Sequence, residues 1–103
     1  MICAVLLVGL TGCGESADRR ERFQRGMAVY QAHCASCHEE GIAGAPTIDD
    51  NGAWQLRLAS GSESLLQNVI DGLLPGMPPR GLCNRCTDEQ LADAVAYMIS
   101  SVN

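Results

Sequence analysis

Apolar residues recur at helical spacing along this chain, and no run alternates at period two. Between Arg22 and Cys34, the residues Phe23, Met27, Tyr30 and Cys34 fall four, three and four apart, which places them on one helical stripe. Thr87 and Gln90 form a candidate capping box that opens a second such stripe, from Asp88 to about Ser101. Its apolar positions are Leu91, Ala94, Val95 and Met98. Shorter helices are expected from Ala53 to Ser60, stopped by Gly61, and from Glu63 to Asp71, with Ser62 as N-cap and Gly72 at the end. Gly41 to Asn51 reads as a loop. Leu73 to Cys86 holds Pro75, Pro78, Pro79, Gly76 and Gly81 and is not expected to be regular helix. The expected fold is all-α, with four or five short helices and two functional loops.

The first twelve residues break this pattern. Ile2 to Leu10 is an uncharged apolar run, the length of a secretory signal core rather than of a membrane span. It leads into Leu10-Thr11-Gly12-Cys13, which resembles the lipobox of bacterial lipoproteins, with Cys13 as the lipidated first residue. The departure is the missing positive region, since no Lys or Arg precedes Cys13. An ordinary cleaved signal, or a buried strand with Cys13 as a core thiol, is the alternative. The division expected is a lipoprotein signal over 1–12, a lipidated polar tether over 13–21 and one domain over 22–103. That places the domain outside the cytoplasm, in the periplasm and anchored to a bacterial membrane by lipid. Cys3 lies within the signal and has no assigned role.

Charge narrows the partners. Twelve acidic residues face seven basic ones, all arginine, for a net charge of −5. Nucleic-acid binding rests on basic contacts to phosphate and is not expected. A partner with a basic docking face suits this balance.

Six cysteines in 103 residues need separate accounts. Cys34-Ala-Ser-Cys37-His38 has the spacing of a c-type haem attachment site. Residues three and four apart share a helical face, so both thiols and the imidazole point one way. The thiols add to the two vinyl groups of one porphyrin, and His38 reaches its iron. A thioredoxin-like dithiol would expect a βαβ context, which this chain lacks. A zinc site built from Cys34, Cys37, Cys83 and Cys86 remains an alternative, but 45 residues separate its two halves, against about 15–20 in the usual spacing.

A sixth iron ligand has few sources. His33 is too near His38 in sequence to cross the ring and reads as a surface residue. Met27 and Met98 sit on apolar stripes and read as core. Met77 lies in Leu74-Pro75-Gly76-Met77-Pro78-Pro79, where proline holds the chain without helical bonds. Met77 is the expected ligand opposite His38, with a capping hydrophobe in a turn as the alternative. A His/Met pair favours a raised potential and leaves no open position, which points to electron transfer rather than catalysis.

With these residues in place, the chain resembles the class I c-type cytochromes, most of all the small bacterial cytochrome c5 type. The likeness runs from Phe23 to Val102. It rests on Gly26 and Tyr30 before the haem motif, on Gly44-Ala45-Pro46, on Trp54 and Arg57, and on Met77-Pro78-Pro79 followed by Cys83-Asn84-Arg85-Cys86. The resemblance implies a cytochrome c fold around one covalent haem c. It implies that Gly26 lets the first and last helices cross, with Tyr30, Ala94 and Tyr97 at the contact. It implies that the Pro46 carbonyl holds the Nδ1 hydrogen of His38, that Trp54 and Arg57 lie near a haem propionate, and that Cys83 and Cys86 form a structural disulfide. The expected function is one-electron transfer between redox proteins, with no small-molecule substrate. A haem peroxidase or ligand sensor in which Met77 is displaced is the rival.

Overall fold

The structure, a computed structural model, describes residues 12–103. The lipoprotein signal expected over 1–12 lies outside the described residues apart from Gly12, and so does the side chain of Cys13. Five α-helices follow in order: α1 (Gly12–His33), α2 (Ala35–His38), α3 (Asn51–Leu58), α4 (Ser62–Asp71) and α5 (Asp88–Ile99). Two 3₁₀ turns, Ile42–Gly44 and Pro79–Leu82, lie in the connecting loops. Among the described residues there is no strand, only an isolated bridge between Leu73 and Met77. The all-α expectation is borne out.

The fold is organised by the crossing of α1 and α5. Gly26 sits at the crossing, where a Cβ would overlap the Asp93 carbonyl oxygen and come within 2.6 Å of its carbon. Only glycine lets the backbones approach this closely. Around that point Phe23 meets Tyr97 edge-on, with centroids 5.1 Å apart, and Tyr30 lies 5.2 Å from the same ring. Arg25 pairs with the buried Asp93 at 3.4 Å. The core continues on both sides. Tyr30, Trp54 and Met98 form one buried cluster, and Leu91 packs with Cys83 and Cys86 in another. Both use the apolar stripe of α5 that the sequence pattern marks out.

Helix boundaries follow local chemistry. Thr87 and Gln90 make both bonds of the capping box, at 3.1 and 2.8 Å, and start α5 where expected. The Asp50 carboxylate accepts from the Ala53 amide and starts α3 at Asn51, two residues before the expected Ala53. Ser62 is not an N-cap. Gly61 occupies that position at φ +90° with no side-chain bond, and Ser62 is the first residue of α4. The largest departure is α1, which starts ten residues before the expected Arg22. The segment read as a polar tether is helical. It carries no apolar stripe, which is why periodicity does not find it. It has instead charged pairs one turn apart, Asp18 with Arg22 and Glu21 with Arg25, each at 3.9 Å and exposed. No described helix is long and apolar enough to cross a membrane.

Candidate functional site

A break in the helical path creates the site. α1 ends at His33, and Cys34 precedes the single turn α2. The amides of Cys37 and His38 both return to the Cys34 carbonyl, at 3.2 and 3.0 Å. This turn brings Cys34, Cys37 and His38 to one wall of a cavity of about 760 Å³. That size is within the ordinary range for cofactor sites. Pro46, Trp54, Arg57 and Met77 line the same cavity, so all seven residues singled out from the sequence for the cofactor converge there.

His38 is buried and doubly held. Its Nδ1 donates to the Pro46 carbonyl at 2.8 Å, and its own carbonyl accepts from the Ile48 amide at 2.8 Å. The first bond sets the tautomer and leaves Nε2 as a lone-pair donor for a metal. Neighbouring Glu39 is tied down as well, accepting from the Tyr30 hydroxyl at 2.6 Å. Burial pushes the Cys34 thiol above its ordinary value, and Cys37 beside it adds to the effect. Cys34 and Cys37 are free thiols, not a disulfide.

Met77 lines the cavity from the loop between α4 and the Pro79–Leu82 turn. The Leu73 and Met77 backbones exchange two hydrogen bonds, each 2.9 Å, which close the Leu74-Pro75-Gly76 turn. Gly72 makes this possible: at φ +75° a Cβ would lie 2.7 Å from the Pro79 nitrogen and 2.8 Å from the Met77 carbonyl oxygen. Met98 also lines the cavity. It clusters with Tyr30 and Trp54, and the Trp54 ring lies 5.7 Å from the His38 ring. Met27 does not line the cavity, and His33 is exposed at its rim.

Two of the lining side chains also bond to the backbone. Trp54 offers the cavity its ring, because its N–H is given to the Thr47 carbonyl at 2.8 Å. Arg57 lines the cavity but turns one guanidinium nitrogen back to the Ala53 carbonyl at 2.9 Å. Sequence reading missed Ser60, Ser64 and Asn68, polar residues that line the same cavity. Ser64 and Asn68 are four apart on α4, so a helical wheel aligned on Leu65 would have placed them near the buried face.

Cys83 and Cys86 are joined in a disulfide just before α5. The four-thiolate zinc alternative is therefore not assembled. The donor set that remains fits a covalent haem: two free thiols and an imidazole on one turn, a thioether on a separate loop, and one largely apolar cavity that all of them line.

Comparison with known proteins agrees. Residues 21–98 match the family model described as cytochrome c oxidase, cbb3-type, subunit III. Cytochrome c-555 of Chlorobaculum tepidum is 42% identical over 77 residues, which cover 72% of this chain and 71% of that protein. Cytochrome c5 of Ectopseudomonas mendocina is 40% identical over 72 residues, covering 68% and 82%. Among solved structures, a chain from an electron-transfer complex of nitrite reductase with cytochrome c superposes with TM-score 0.71 at 38% identity, covering 77% of this chain and 95% of that one. The free thiols, the oriented histidine and these relatives together make this chain a member of the small class I c-type cytochromes, an electron carrier with covalently bound haem c and not an enzyme.

Proposed function

We propose that the protein carries single electrons at the periplasmic side of a bacterial membrane, with His38 and Met77 as the residues that would hold its haem iron. The observation that carries the ligand assignment is the 2.8 Å bond from His38 Nδ1 to the Pro46 carbonyl, which reserves Nε2 for iron. Cys34 and Cys37 hold the porphyrin through thioether bonds. Met77 would supply the second ligand, from a loop that the backbone bonds between Leu73 and Met77 hold closed. The haem supplies the one-electron couple. Trp54, Leu65, Val95 and Met98 keep water from it. Arg57, with Ser60, Ser64 and Asn68 nearby in the lining, offsets the propionates.

The partner is a redox protein. Among the residues lining the cavity, Arg57 is the one cation and no carboxylate occurs. Exposed Ile42, Leu73 and Leu82 also belong to that lining. An apolar contact at this edge suits transfer over a short distance, while the net charge of −5 biases the approach toward a basic partner. The related complex with nitrite reductase makes an enzyme of that class one candidate. Lipid on Cys13, with the helical segment from Gly14 to Arg20 as a spacer, would hold the domain near membrane-bound partners.

Visible spectroscopy of the exported, haem-loaded protein tests the ligand pair. A weak far-red ferric band from sulfur ligation supports it, and loss of that band in Met77→Ala with haem still attached assigns the sulfur. An unchanged band in that variant overturns Met77. Mass spectrometry of the membrane fraction tests the lipid: an unmodified Cys13 in the mature chain would remove the anchor.

A further inference from the structure

The C-terminal Cys-x-x-Cys has a neighbour that the sequence does not place beside it. His33 ends α1, far from the pair in the chain. In the structure one ring nitrogen of His33 and the sulfurs of Cys83 and Cys86 all lie within 4.8 Å of one another. The two cysteines are buried, at 6% and 9% exposure, and His33 is exposed at their side. The approach is built by backbone packing. Gly81 lies against the end of α1, where a Cβ would stand 3.3 Å from the His33 carbonyl oxygen. Arg80 then ties the same turn to α5, donating to the Cys86 carbonyl at 2.7 Å and pairing with Asp88 at 2.9 Å.

With the disulfide closed, its sulfurs are bonded to each other and make poor metal donors. Reduction changes the donor set. A dithiol of the exported compartment passes two electrons and two protons to the pair. The S–S bond breaks, two thiols form, and the donor becomes a disulfide. Two thiols three residues apart have the chelating spacing of structural zinc sites, in which each Zn–S bond is about 2.3 Å. Tetrahedral coordination then sets the sulfurs roughly 3.8 Å apart. The 5.4 Å Cα separation already present accommodates that by side-chain rotation. Metal capture releases the two thiol protons, as it must for thiolate ligands. The neutral imidazole of His33 supplies a nitrogen, and solvent completes the fourth position.

We infer that reduction of Cys83–Cys86 creates a Cys2His site, completed by His33, for a borderline-soft divalent cation such as zinc. This site differs from a four-thiolate one, because Cys34 and Cys37 take no part. It rests on the haem reading in one respect only: covalent haem removes those two thiols from competition. The test therefore uses the holoprotein, and the visible spectrum of the same sample reports on the haem separately.

Holoprotein reduced with dithiothreitol and desalted without oxygen should show two more titratable thiols than the oxidised form. Equilibrium dialysis against zinc chloride should then load one zinc ion on the reduced chain and none on the oxidised chain. Loss of an outer partner alone costs about 10–100-fold in metal affinity, so loss of a ligand in His33→Ala should cost at least that. The double variant Cys83→Ser/Cys86→Ser should take up no zinc under reducing conditions. The site is overturned if the reduced chain, with both thiols counted, stays empty. Zinc uptake that is equal in the oxidised protein, in His33→Ala or in the double serine variant would overturn it too.

Discussion

The imidazole of His38 and the carbonyl of Pro46 meet at 2.8 Å across eight residues of chain, and this one bond fixes Nδ1 as the protonated ring nitrogen and leaves Nε2 with its lone pair. The loop that brings Pro46 there also carries the Ile48 amide that holds the His38 carbonyl. Proline stiffens it through the unfolded state, by restricting φ. Pro46→Ala keeps the carbonyl and should keep the haem spectrum, but lower stability by about 0.4–1 kcal/mol. Urea titration of the two holoproteins measures this. An altered ferric spectrum would mean that proline also sets the aim of the imidazole.

Two thioethers line the cavity, and their neighbours tell them apart. Met98 packs in the buried cluster with Tyr30 and Trp54, whereas Met77 rises from the loop closed by Leu73. Met98→Leu is a volume-conserving exchange and should cost less than about 1.5 kcal/mol with ligation intact. Met77→Ala should keep the covalent haem and leave its ferrous form open to carbon monoxide. Carbon monoxide binding by the Met98 variant but not by the Met77 variant would reverse the assignment.

Two glycines on α1 should respond very differently to an added methyl group. A methyl group at Gly26 overlaps the Asp93 backbone, so Gly26→Ala must push α1 from α5 and should cost about 1–3 kcal/mol or more. Gly14 has nothing within 4 Å of its would-be Cβ and lies in the first turn of α1, so Gly14→Ala should change stability by less than about 0.5 kcal/mol. Thermal unfolding of both variants gives the comparison. A harmless Gly26→Ala would show that the crossing is looser than described.

The Tyr30 hydroxyl is buried and donates to the Glu39 carboxylate. Burial first, and Glu39 second, hold its pKa well above the ordinary phenol value of 10.0. A group whose folded pKa is raised contributes stability in full below the unfolded pKa and loses it as pH climbs toward the folded value. Wild-type stability should therefore fall steeply above about pH 10, and Tyr30→Phe should remove part of that slope. At neutral pH the variant should lose about 1–2 kcal/mol for the missing bond to a charged acceptor. Denaturant midpoints at neutral pH and above pH 10 decide the matter; parallel curves would dissociate Tyr30 from the alkaline transition.

Short-range chemistry made much of this protein legible in advance. Cys34, Cys37 and His38 share one turn because three- and four-residue spacings share a face, and that holds in any helical context. Thr87 and Gln90 cap α5 because both partners lie within one turn of each other. The stripe from Leu91 to Met98 marks a buried face before its partner is known. What failed was also local in kind. The polar start of α1 has no apolar period to detect, and Ser62 yielded the cap position to Gly61, whose φ of +90° the residue pattern does not reveal.

The tertiary structure decided what depends on residues distant in the chain. It turned the Trp54 N–H toward Thr47, drew Ser64 and Asn68 into the cavity wall, and set Met98 apart from Met77 by the company each keeps. It also brought His33 to the disulfide, a meeting that rests on the packing of Gly81 against the end of α1. By itself the sequence determined the all-α class, the apolar stripes of α1 and α5, the haem motif and the family resemblance. Helical spacing and motif chemistry act over one or two turns, whereas the direction of a hydrogen bond or the lining of a cavity is set only when distant backbones close on each other.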